Sequence, residues 1–134
     1  MNPPSPFLRI LVVEDEAPLA RCYARQLLPA VAEIASSPPI ALAMLADLAP
    51  FDLVLCDLNL AGLSGRDLYR DACARWPELC DRFLFMTGDR ATAPPRLDDA
   101  SSAVRVLAKP FDRAALLAAV AEVARLRAGP SVYC

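Results

Sequence analysis

A chain of 134 residues, 56% hydrophobic and 22% charged, is long enough for one packed core and too apolar to stay disordered. Fourteen basic against sixteen acidic residues leave a formal charge of −2, and the arginines are scattered singly, so composition gives nucleic-acid binding no support. Five cysteines without a CxxC pair and no histidine disfavour a zinc centre or disulfide framework, while the lack of a spanning apolar run or secretory leader makes a cytoplasmic, membrane-free protein the expectation.

Short apolar runs alternate with segments of helical period, the pattern of βα units and a parallel sheet. After a Pro-rich start over residues 1–6, the first strand is expected at 7–13 (FLRILVV), stopping at Glu14, Asp15 and Glu16. Pro18 suits the first turn of a helix that runs to Leu28, with Leu19, Cys22, Tyr23 and Leu27 on one face and Pro29 ending it. Residues 31–35 read as a second strand. A loop holding Pro38 and Pro39 then leads to a helix with Ala41, Met44, Leu45 and Leu48 at core spacing, closed by Pro50. Residues 52–57 (DLVLCD) form a continuous hydrophobic strand of the kind covered on both faces, yet it ends in a carboxylate that a core would not choose.

Beyond the loop LNLAGLSG, residues 66–76 place Leu68, Tyr69, Ala72, Cys73 and Trp76 at helical spacing before Pro77. Residues 82–87 (RFLFMT) and 103–107 (AVRVL) are the fourth and fifth strands. The last helix spans 112–128, with Asp112 as N-cap and Gly129 past its end. Between strands four and five, Pro94 and Pro95 should break or shorten any helix in 89–102. The plan is a single α/β domain over 1–134 with five strands, about five helices, an irregular fourth helix and a tail over 129–134.

In an open parallel α/β sheet, ligands bind at the carboxyl ends of the strands near a topological switch point. Strand one ends there in Glu14 and Asp15, strand three in Asp57 and strand four in Thr87, and strand five is followed by Lys109 and Pro110. Clustered carboxylates repel unless protons or a cation neutralise them, and an all-oxygen ligand set that retains waters suits Mg²⁺. Asp57 would then be both metal ligand and nucleophile toward phosphorus. Lys109 would act as a point charge on the phosphoryl oxygens, and Thr87 would offer them a hydroxyl donor. Taken singly these residues have plainer readings: a solvated acidic helix start, a satisfied strand-end hydroxyl, a surface lysine. Their order along strands one, three, four and five is what points to one site. Cys56, beside Asp57, reads as a small buried strand residue before it reads as a redox centre.

Over residues 7–127 the sequence resembles the response-regulator receiver domain of two-component signalling, the CheY-like family. ILVVEDE resembles its first strand and acid pair, DLVLCDLNLAGLSG its phosphoacceptor strand and loop, FMTGD its hydroxyl strand, and LAKPF its lysine–proline turn. The resemblance implies a flavodoxin-like, doubly wound sheet of order 2-1-3-4-5 and Mg²⁺-dependent phosphorylation of Asp57. It implies Mg²⁺ ligation by Asp15, Asp57 and the backbone carbonyl of Asn59, with Glu14 assisting through water, and a cis bond between Lys109 and Pro110. As partners it implies a histidine kinase or histidine phosphotransfer protein as donor and a downstream protein, for a signalling module rather than a free-standing enzyme. Asn59 and Asp89, two residues past Asp57 and Thr87, are expected to tune the lifetime of the phosphorylated state.

Four features depart from the family pattern. Ala61 stands where proline is usual, Val106 where a Tyr or Phe usually swings with the hydroxyl residue, the Gly-Ala step before strand five is missing, and Pro94 and Pro95 fall in helix four. They leave open a pseudo-receiver scaffold or a phosphate-sink module with unconventional output. A haloacid-dehalogenase-like phosphatase would need a second Asp where Asn59 stands, and a flavodoxin-like cofactor binder would need a Ser/Thr/Gly-rich phosphate loop after strand one, where the acidic EDEAP loop would instead repel an anion.

Overall fold

The computed structural model describes residues 6–47, 50–60, 64–88 and 105–128, with side chains to 125. Five parallel strands, β1 (Arg9–Val13), β2 (Val31–Ala35), β3 (Leu53–Asp57), β4 (Phe83–Thr87) and β5 (Arg105–Ala108), form one sheet in the order β2-β1-β3-β4-β5. The helices are α1 (Ala17–Gln26), α2 (Pro38–Asp47), α3 (Gly65–Arg75) and α4 (Arg113–Ala128), and a 3₁₀ turn spans Pro77–Leu79.

Side chains alternate across the sheet, so each strand feeds two cores. Leu11, Val13, Val54, Cys56, Phe83 and Phe85 pack on one face with Ala41 of α2 and Leu68 and Ala72 of α3. Ile10, Val12, Leu53, Leu55, Leu84 and Met86 pack on the other with Ala20 and Tyr23 of α1 and Leu116 and Val120 of α4. Burial on both faces explains why β3 and β4 are unbroken hydrophobic runs. Because the chain leaves β1 for β2 on one side and returns to β3 on the other, the crevice between their carboxyl ends is the switch point.

Several boundaries differ from expectation for local reasons. The first strand begins at Arg9 rather than Phe7, since the ladder starts where Arg9 meets Val31, and Phe7 lies in an exposed turn. Helix α1 ends at Gln26, and a turn with a cis Leu28–Pro29 bond leads into β2. Pro38 and Pro39 are not in a loop: they form the first turn of α2, where a missing N–H costs no intrahelical bond. Ser37 Oγ there accepts from Ile40 N at 3.3 Å. Helix α3 starts one residue early because Ser64 caps it, accepting from Asp67 N at 3.2 Å. Asp112 caps α4 as expected, with its Oδ1 accepting from Ala115 N at 2.8 Å.

Four α-helices stand among the described residues against about five expected. The expected irregular helix in 89–102, with Asp89, Pro94 and Pro95, falls outside the described residues, as do Ala61, Ala103, Gly129 and the terminal segments 1–5 and 129–134. Val106 pairs with Phe85 across β4 and β5 and sits half-buried against the Phe83–Phe85 side of the core. No described helix is long and apolar enough to cross a membrane.

Candidate functional site at the carboxyl edge of the sheet

Asp57 is the last residue of β3 and is 6% exposed. Its Oδ1 accepts from Asn59 N at 2.9 Å, which fixes the carboxylate plane, and its Oδ2 accepts from Lys109 Nζ at 2.9 Å. The Lys109–Pro110 bond is cis, and Lys109 N donates to Thr87 O at 2.7 Å, so the end of β4 positions the lysine. Burial pulls the Lys109 pKa down, but the hydrogen bond and charge of Asp57 outweigh it and hold the ammonium above its ordinary value.

Glu14 follows β1 and is almost wholly buried. Its backbone N–H donates to Ala35 O at 3.1 Å, continuing the β1–β2 ladder, and its Oε2 accepts from Glu16 N at 3.2 Å. Oε1 has no hydrogen-bond partner and lies 3.6 Å from Lys109 Nζ. Burial, opposed by the Glu16 N–H and the Lys109 charge and reinforced by the Asp57 charge, pushes the Glu14 carboxyl up to about 7. One oxygen from each of Glu14, Asp15 and Glu16 lies within 4.8 Å of the others, Asp15 and Glu16 being exposed. Lys109 links this trio to Asp57.

Thr87, buried at the end of β4, lines a cavity of about 320 Å³ with Leu58, Asn59, Ser64 and Arg66. Gly65 floors the region: a Cβ there would stand 2.6 Å from Asp57 O, 3.0 Å from Leu58 Cα and 3.2 Å from Cys56 Sγ. The backbone of α3 thus approaches the end of β3 as only glycine allows. Cys56 is fully buried, its Sγ donates to Asp57 O at 3.3 Å, and burial raises its thiol far from reactive range, which fits a packing role.

Every site residue expected from the sequence among 14, 15, 57, 59, 87 and 109 therefore sits at one edge of the sheet. Sequence reasoning missed four neighbours. Glu16 completes the acidic trio, and Tyr23, read only as a core residue, places its ring 5.9 Å from Lys109 Nζ and stacks on Phe111 at 5.5 Å. Ser64 and Arg66 line the cavity, and the Ser64-x-x-Asp67 spacing is a capping signal that could have located the start of α3 beside the site.

The response regulator receiver domain family model matches residues 10–121. No curated protein matches the chain by sequence. Among solved structures, the chain is similar to a response regulator receiver domain protein from Clostridium thermocellum, at 24% identity over 88% of this chain and 94% of that one, with a TM-score of 0.74. It is similar to the signal receiver domain of an HD domain-containing protein from Pseudomonas fluorescens Pf-5, at 24% identity over 92% and 98% of the two chains, with a TM-score of 0.76. A third, the response regulator protein TrrA from Thermotoga maritima in complex with Mg²⁺-BeF, has 22% identity over 87% and 99%, with a TM-score of 0.74. These identities establish shared fold alone. With most of its length covered by the family model and its sheet in the order β2-β1-β3-β4-β5, this chain belongs to the response regulator receiver domain family.

Proposed function

We propose that this receiver domain accepts a phosphoryl group on Asp57 in a Mg²⁺-dependent reaction and thereby changes its affinity for a downstream protein. The observation that carries the reading is the Asp57 carboxylate held between Asn59 N–H and Lys109 Nζ, both at 2.9 Å, at the switch point of the sheet. A carboxylate so fixed presents an oxygen as nucleophile without the entropy of a free side chain. The Lys109 ammonium is placed to share its charge with the oxygens of the incoming phosphoryl group, and the Thr87 hydroxyl to donate to one of them.

The donor set fits Mg²⁺. Glu14 Oε1 is a buried acceptor without a hydrogen-bond donor, and three carboxylates crowd within 4.8 Å, an arrangement that a hard divalent ion relieves. Asp15, Asp57 and the Asn59 carbonyl would hold it, with Glu14 assisting through water. When bound, the ion neutralises negative charge on the transferring group. Membership of the receiver family supports a histidine kinase or histidine phosphotransfer protein as donor, a cytoplasmic location, and a signalling module that assists its own phosphorylation.

The fluoride analogue BeF₃⁻ tests this reading without a kinase. Together with Mg²⁺ it should raise the melting temperature of the wild type by several degrees and leave Asp57→Asn unchanged. Equal shifts in both proteins would remove Asp57 from the role.

A further inference from the structure

The cavity beside Thr87 has a wall that the phosphoacceptor chemistry does not use. Its volume of about 320 Å³ falls at the low end of the range for small-molecule sites, roughly 300 to 1,000 Å³. Leu58, Asn59, Ser64 and Thr87 bring no charge to its lining, so among the described lining residues Arg66 is the one ion. The local folding of α3 keeps that charge available. Asp67, the nearest acid in sequence, is occupied elsewhere: its backbone N–H donates to Ser64 Oγ, its Oδ2 accepts from Ser64 Oγ at 3.0 Å, and its Oδ1 lies 3.7 Å from Arg70. Lys109 in turn is committed to Asp57 and Glu14. Among the described residues, an anion approaching Asp57 from the cavity side therefore meets Arg66 as the cation without a paired acid, in the first turn of an eleven-residue helix whose dipole has the same sign.

We infer that Arg66 is a specificity-determining residue for small acyl phosphates, drawing the donor's phosphoryl dianion into the cavity lined by Thr87 and Asn59 ahead of transfer to Asp57. The inference rests on the phosphoacceptor reading. The transfer it serves is balanced as it stands: an Asp57 carboxylate oxygen forms a bond to phosphorus, the bond from phosphorus to the acyl oxygen breaks, and the carboxylate leaves with the electron pair. One mixed anhydride replaces another, with no proton or oxidant required. A planar guanidinium suits phosphate oxygens through paired N–H donors, and its long-range charge acts on encounter and binding rather than on the bond-breaking step.

The experiment follows phosphoryl adduct formation by intact mass against acetyl phosphate concentration, with Mg²⁺, for wild type, Arg66→Ala and Arg66→Lys at two ionic strengths. Arg66→Ala should raise the half-saturating acetyl phosphate concentration about threefold or more with little change in maximal rate, and should flatten the salt dependence. Arg66→Lys, which keeps the charge but loses the paired N–H donors, should fall between Arg66→Ala and the wild type in half-saturation while keeping the salt dependence. An adduct that forms in Arg66→Ala with wild-type half-saturation and salt dependence would overturn this inference alone, and so would a loss confined to the maximal rate. No adduct in the wild type would overturn the phosphoacceptor reading and this inference with it. Arg66 is exposed on α3, so its replacement should leave the fold intact, which circular dichroism of each variant checks.

Discussion

Lys109 donates to Asp57 Oδ2 at 2.9 Å across 52 positions of sequence, and the same ammonium lies 3.6 Å from the buried Glu14 Oε1. One cation thus balances two carboxylates that the fold has removed from water. Removing one partner of such a group costs more than the pairing contributes, because charge is left buried without compensation. Lys109→Met should lower stability by about 1 to 3 kcal/mol in urea denaturation at pH 8 with chelator present. It should also slow adduct formation at Asp57 by about tenfold or more. A variant as stable as wild type under those conditions would show that Lys109 does not hold the pair.

Glu14 gives the site a pH dependence of defined sign. Its folded-state pKa is raised to about 7 from an ordinary 4.5, so its favourable contribution is fully present below about 4.5 and is lost as pH rises through about 7. Glu14→Gln abolishes that loss. Without divalent ions the variant should be more stable than wild type at pH 8 by on the order of 2 kcal/mol, with the difference gone near pH 4.5. Urea midpoints at the two pH values, with chelator, measure it. A difference of the same size at both would assign the effect to packing instead of charge. Mg²⁺ at pH 8 should narrow the gap, since the wild-type carboxylate is then the better neighbour for a cation.

Gly65 is where packing meets chemistry. A methyl at this position meets the Asp57 carbonyl at 2.6 Å and the Leu58 Cα at 3.0 Å, both backbone atoms that cannot swing away. Gly65→Ala should therefore push α3 off the end of β3, costing about 1 to 3 kcal/mol and displacing the loop that carries Asn59. Denaturation midpoints read the first effect, and the rate of adduct formation at Asp57, slower in the variant, reads the second. Retention of both would mean that the helix shifts without disturbing the carboxylate.

The sheet was legible because burial on both faces leaves strands such as LVLCD and FLFMT with no polar alternation, a signal few other elements imitate. The placement of the acids, hydroxyl and lysine was legible because each ends or closely follows a strand, where a core has no use for them. Pro38 and Pro39 misled for a physical reason: proline breaks a helix interior but suits its first turn, and spacing alone did not say which side of the boundary they occupied. Phe7 misled because apolar character continued past the point where a pairing strand was available. Ser64 and Arg66 were invisible as site residues because only the tight seating of Gly65 on Asp57 and Leu58 brings the first turn of α3 to the cavity. Glu14 was expected to assist a cation, but its orphaned Oε1 and raised pKa depend on burial that no linear pattern encodes.

Everything proposed for this site depends on Asp57 being the phosphoacceptor. Intact mass spectrometry of wild type and Asp57→Asn after incubation with acetyl phosphate, with and without Mg²⁺, tests it most directly. A single phosphoryl adduct is expected on the wild type only when Mg²⁺ is present, and none on Asp57→Asn under either condition. An adduct that persists on Asp57→Asn, or that forms equally well without Mg²⁺, would contradict it.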